Sequence, residues 1–88
     1  MRYTIRVEKT PTKFVARLTD NKLKARIYQA LVDLAEDPRP VGSTKLQGSD
    51  NLYRIRVSDY RVIYAIQDAV LIVLVVEIGH RREVYRAS

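Results

Sequence analysis

The chain has 88 residues, 16 of them lysine or arginine against 10 aspartate or glutamate, giving a net charge of +6. This length suits one domain over residues 1–88 and is too short for two. No cysteine is present, which excludes a disulfide framework and any zinc site built on thiolates. The basic balance favours a polyanionic partner, with nucleic acid first and an anionic membrane surface second. Charges interrupt the N-terminal apolar residues, and the longest apolar run, Ala69 to Val76, is far below the ~20 residues of a membrane helix. A cytoplasmic protein with no membrane partner is expected.

Residues 2–8 alternate, with Tyr3, Ile5 and Val7 on one face, as in a half-buried strand. Thr10-Pro11 then opens a short helix carrying Phe14, Val15 and Leu18. Thr19-Asp20 offers the N-cap of a second helix, reaching about Asp37, where Leu23, Ile27, Ala30, Leu31 and Leu34 recur at helical spacing. Pro38 and Pro40 end it, and residues 41–51 read as a loop. Leu52–Val57 and Tyr60–Gln67 alternate, while Val70–Ile78 is almost continuously apolar, as in a strand covered on both faces. Gly79-His80 breaks that strand, and residues 83–86 offer a last short extended segment. The order predicts an α+β fold: an N-terminal strand, a helical hairpin, then a mainly antiparallel sheet of about four strands, with the hairpin on one face.

The third and fourth strands carry the most information. If Val57 lies across from Tyr60, then Ile55 meets Val62, Arg56 meets Arg61 and Arg54 meets Ile63. Opposed residues share a face. Tyr53, Ile55, Val57, Tyr60, Val62, Tyr64 and Ile66 then cover the helices, and Arg54, Arg56 and Arg61 emerge together on the other side. Directly opposed like charges cost up to ~1 kcal/mol. Three arginines with no interleaved acid therefore read as a face built for an external anion, and the planar guanidinium suits phosphate. A merely solvated face is the alternative.

No Asp/Glu/His cluster has metal-ligand spacing and no glycine-rich phosphate loop is present, so no metal or cofactor is expected. RNA supplies its own nucleophile, a 2′-OH beside the phosphate. A protein then needs to position the strand, neutralise developing charge and move two protons. Two candidate proton carriers are His80, the only histidine, and Tyr85. Free imidazole suits neutral pH at ~6.5, whereas a phenol near ~10 needs neighbouring positive charge to ionise. Either residue has a simpler reading, His80 as a loop residue and Tyr85 as packing.

The stretch Lys45-Leu46-Gln47-Gly48, followed by Leu52-Tyr53-Arg54-Ile55-Arg56-Val57 and Asp59-Tyr60-Arg61-Val62-Ile63-Tyr64, resembles the central signature of RelE/ParE-superfamily toxins. The ending Gly79-His80-Arg81-Arg82-Glu83-Val84-Tyr85 resembles that of the RelE branch. The resemblance implies a toxin of a type II toxin–antitoxin system, cutting mRNA on the ribosome by 2′-OH attack without metal, and silenced in a complex with its antitoxin. It implies that Arg54 and Arg56 hold and stabilise the phosphate with Arg61, and that Lys45 and Arg82 add phosphate contacts. Arg81 would stabilise charge and act on the leaving 5′-oxygen, and Tyr85 would orient or deprotonate the 2′-OH. His80 stands as a further acid or base. Some relatives have lysine where Arg54 and Arg56 stand, and the C-terminal loop is shorter here, leaving Arg81 and Arg82 as rival matches. The competing readings are a ParE-like toxin acting on DNA gyrase and an inert RNA- or antitoxin-binding module.

Overall fold

A computed structural model describes residues 2–80. The elements run β1 (Thr4–Val7), α1 (Lys9–Ala16), α2 (Asn21–Glu36), β2 (Thr44–Lys45), β3 (Leu52–Val57), β4 (Tyr60–Gln67) and β5 (Ile72–His80). One five-stranded sheet has the order β1-β5-β4-β3-β2, antiparallel except for the β1/β5 pair. The α+β class, the helical hairpin and the mainly antiparallel sheet are as the sequence predicts. The loop reading of 41–51 is corrected in one place, because Thr44 and Lys45 pair with Arg54 and Tyr53 as a fifth strand. Residues 81–88, including the extended segment expected at 83–86, lie outside the described residues.

Both helices begin where local chemistry supports them. Pro11 falls in the first turn of α1, where a missing N–H breaks no helical hydrogen bond. Asp20 caps α2 by accepting hydrogen bonds from the backbone N–H of Lys22 and Leu23, at 3.0 and 3.2 Å. Val15, Ile27, Leu31 and Leu34 bury themselves against Ile55, Val57, Val62, Tyr64, Ile66, Val73, Val75 and Ile78. One face of the sheet is thereby sealed. Among the described residues no helix is long and apolar enough to cross a membrane.

The end of the sheet at Gln67 is fastened by a polar cluster. Asp68 accepts a hydrogen bond from the Tyr3 hydroxyl at 2.6 Å and pairs with Arg39 at 2.8 Å. The Arg39 guanidinium first, and the Tyr3 hydroxyl second, hold the Asp68 carboxyl below the usual carboxylate range. Arg39 also lies over the Tyr53 ring, 5.3 Å from its centre. Beneath it Tyr64 donates to the Pro38 carbonyl at 2.7 Å, and burial pushes its phenol up to about 12. These contacts tie β1, the α2–β2 connection, β3 and β4 together.

Strand β5 departs from its predicted limits at both ends. The chain reverses after β4 through a 3₁₀ turn at Asp68–Val70 and a left-handed Leu71, with φ of +54°. The reversal consumes apolar residues that composition alone assigns to the strand, so pairing starts at Ile72. At the other end β5 continues through Gly79 to His80. Nor is the strand covered equally on its two faces. Val73, Val75 and Ile78 are buried, whereas Ile72, Leu74 and Val76 are partly exposed.

Candidate nucleic-acid interface

The β3–β4 hairpin sets the site, and its register is the one the apolar pattern demands. Val57 pairs with Tyr60, Ile55 with Val62, Arg56 with Arg61 and Arg54 with Ile63. Ser58 starts the two-residue turn at φ +56°, the positive φ that primed hairpin turns need at their first position. Arg54, Arg56 and Arg61 therefore share the face away from the helices. They differ in exposure. Arg56 is exposed and Arg54 half-buried, whereas Arg61 is only 7% exposed, so the expectation that all three emerge is corrected for Arg61. Arg61 lies between Arg56 on β3 and Gly79 on β5, and its Nε and Nη1 are shielded from solvent. A charge in such a place acts on an arriving anion with little screening by water.

The register also brings residues to this face that pattern reading misses. Thr44 is paired with Arg54 and therefore stands beside it. Arg6 on β1 pairs with Leu74, which pairs with Ala65, so Arg6 joins the same face. Between β4 and β5 the pairing shifts: Ile63 faces Glu77, but Tyr64 faces Val75, leaving Val76 as an extra residue. That bulge reverses the alternation of β5 and turns Glu77 toward the arginines. The expectation of a face without an acid is thus corrected. Arg54, Ile63 and Glu77 form a row across three strands, with Arg61 diagonal to Glu77.

Two other predicted residues stand elsewhere. Lys45 pairs with Tyr53, which puts it on the helix-facing side of the edge strand β2. His80 is the last residue of β5 instead of a loop residue. It pairs with Tyr60, and the rings meet edge-on at 5.6 Å between centroids. Its register places it on the helix-facing side, apart from the arginine row. Arg81, Arg82 and Tyr85 lie outside the described residues. Among the described residues no group of three or more His, Cys, Asp or Glu is arranged to hold a metal ion.

The comparisons with known proteins bear on the fold and the family. Residues 5–85 match the family model described as the ParE toxin of the type II toxin–antitoxin system parDE. The toxin RelG of Mycobacterium tuberculosis is 29% identical over 98% of this chain and 99% of its own length. The mRNA interferase toxin RelE of Escherichia coli is 32% identical, covering 78% of this chain and 76% of that protein. Among solved structures, the RelE–RelB complex of Pyrococcus horikoshii superposes with a TM-score of 0.82 at 27% identity, over 92% of this chain and 97% of its counterpart. The chain therefore belongs to the RelE/ParE superfamily of type II toxins, on its RelE branch.

Proposed function

We propose that this toxin is a metal-independent endoribonuclease that cuts mRNA on the ribosome. The cross-strand set Arg54, Arg56 and Arg61 carries the reading: three guanidinium groups share one sheet face, and their planar forks match phosphate oxygens. A phosphodiester suits that face, and RNA brings the attacking 2′-OH to the same place. Arg54 and Arg56 hold the phosphate, and Arg61 stabilises the charge that grows as the 2′-oxygen attacks. Arg81 neutralises charge near the leaving 5′-oxygen and Tyr85 orients or deprotonates the 2′-OH, with Arg82 as an outer phosphate contact; Lys45, on the helix-facing side of β2, is left out of this set. His80 is the less favoured proton carrier, given its place beside Tyr60. No cofactor takes part. The E. coli relative named as an mRNA interferase supports an mRNA-cutting activity.

A cognate antitoxin restrains the toxin by covering the basic face. The solved P. horikoshii relative is a toxin–antitoxin complex, and an acidic, partly apolar segment complements the charge of this chain. Such a segment can fold as it binds.

Purified toxin added to a cell-free translation extract tests the reading. New mRNA 5′ ends are expected inside translated regions, and they vanish when initiation is blocked. Intact mRNA together with loss of gyrase supercoiling activity would instead favour the ParE-like action that the matched family's name carries.

A further inference from the structure

We infer that Glu77 is a catalytic residue, accepting the proton of the attacking 2′-OH; this rests on the nuclease reading above. The bulge at Val76 supplies the observation. Without it Glu77 would follow the alternation of Val73 and Val75 and point toward the helices. With it, Ile78 enters the core instead, opposite Val62, and Glu77 stands opposite Ile63 on the arginine face. Glu77 is partly exposed.

The spacing suits an RNA strand. Glu77 and Arg61 are diagonal neighbours, a separation of roughly 7–8 Å. Glu77 and Arg54 stand two strand spacings apart, roughly 10 Å, with the buried Ile63 between them. With a phosphate held by Arg54, Arg56 and Arg61, attack requires the 2′-oxygen of the adjoining ribose to stand roughly 3–3.5 Å from phosphorus. The ribose on that side of the phosphate then turns its 2′-hydroxyl toward Glu77. A carboxylate is acceptor-only when ionised, so it takes a proton without first having to lose one. Among the described residues, Arg61 on β4, Arg54 and Arg56 on β3 and Arg6 on β1 share the face of Glu77.

The step balances as follows. The 2′-oxygen bonds to phosphorus as its proton passes to Glu77, the bond from phosphorus to the 5′-oxygen breaks, and that oxygen takes a proton from water. The products are a 2′,3′-cyclic phosphate and a 5′-hydroxyl, and Glu77 returns its proton to water. Tyr85 is left with the task of orienting the ribose.

The test is single-turnover cleavage of mRNA programmed into purified ribosomes, from about pH 6 to about pH 9. The wild-type rate is expected to be nearly level. Glu77→Gln should be slower by roughly 10²–10⁴-fold at pH 7. Its rate should rise about tenfold per pH unit, since hydroxide must then replace the lost base. Glu77→Asp keeps a carboxylate and should keep the level profile at a reduced rate. The inference is overturned if Glu77→Gln cleaves at the wild-type rate. It is equally overturned if that variant is slower with an unchanged profile, which is the mark of a structural role. A wild-type protein that leaves the mRNA whole overturns the nuclease reading itself, and Glu77 with it.

Discussion

Arg61→Ala is expected to lower single-turnover mRNA cleavage by ~10²–10³-fold, the usual cost of losing a preorganised charge donor. Among the described residues Arg61 is the most enclosed arginine on the face away from the helices and lies across from Arg56, so its guanidinium is set in place before any substrate arrives. Thermal stability should change little. Removing one of two opposed like charges recovers up to ~1 kcal/mol, which offsets part of the packing lost with the aliphatic stem. Rate and melting temperature measured on the same preparation separate the two effects. A variant that cuts at near wild-type rate would remove Arg61 from the site.

The opposite behaviour is expected from Ile27→Ala. Ile27 is completely buried in the middle of α2, against the sheet face that carries Ile55, Val62 and Tyr64. Truncating it removes apolar burial and leaves a cavity, at a cost of about 2–5 kcal/mol. Domains of this kind have only about 5–15 kcal/mol of stability in total, so the loss is a large share. Urea unfolding followed by circular dichroism should show the midpoint falling sharply with an unchanged slope. The folded fraction should still cleave at the wild-type rate, because the arginines stand on the other face. A change below about 1 kcal/mol would contradict a core sealed by α2.

The contrast follows from a sheet whose two faces do different jobs, and much of that division is legible in the sequence. Strand β3 alternates from Tyr53 to Val57 and Arg61 breaks the start of β4, and only an even register lets both apolar sets meet the helices. Arg54, Arg56 and Arg61 are fixed to one face by the same argument. The Asp20 cap and the Ile27, Leu31, Leu34 stripe are equally plain, because capping and helical period act locally. Other features depend on distant pairing. Thr44-Lys45 is too short to show any period, so β2 exists only through its partner β3. The parallel placement of β1 beside β5 joins chain segments some seventy residues apart.

The bulge is the instructive case. Residues Ile72 to Val76 are all apolar, so alternation cannot say which one the ladder skips. The face of Glu77 is hidden for the same reason, and with it a carboxylate that shares the face of the arginines. His80 is misread through the opposite habit. Its preceding glycine suggests a strand end, yet the ladder continues two residues further and pairs His80 with Tyr60.

The central claim, RNA cleavage through the substrate's own 2′-OH, is tested most directly by removing that group. Ribosomes programmed with an mRNA carrying a single 2′-deoxyribose at the mapped cleavage position would be compared with the all-ribose message. The all-ribose message should be cut to a 2′,3′-cyclic phosphate and a 5′-hydroxyl end, while the deoxy-substituted one stays whole at that position. Efficient cleavage of the deoxy-substituted message at the same bond would contradict the account, because the nucleophile would then have to come from elsewhere.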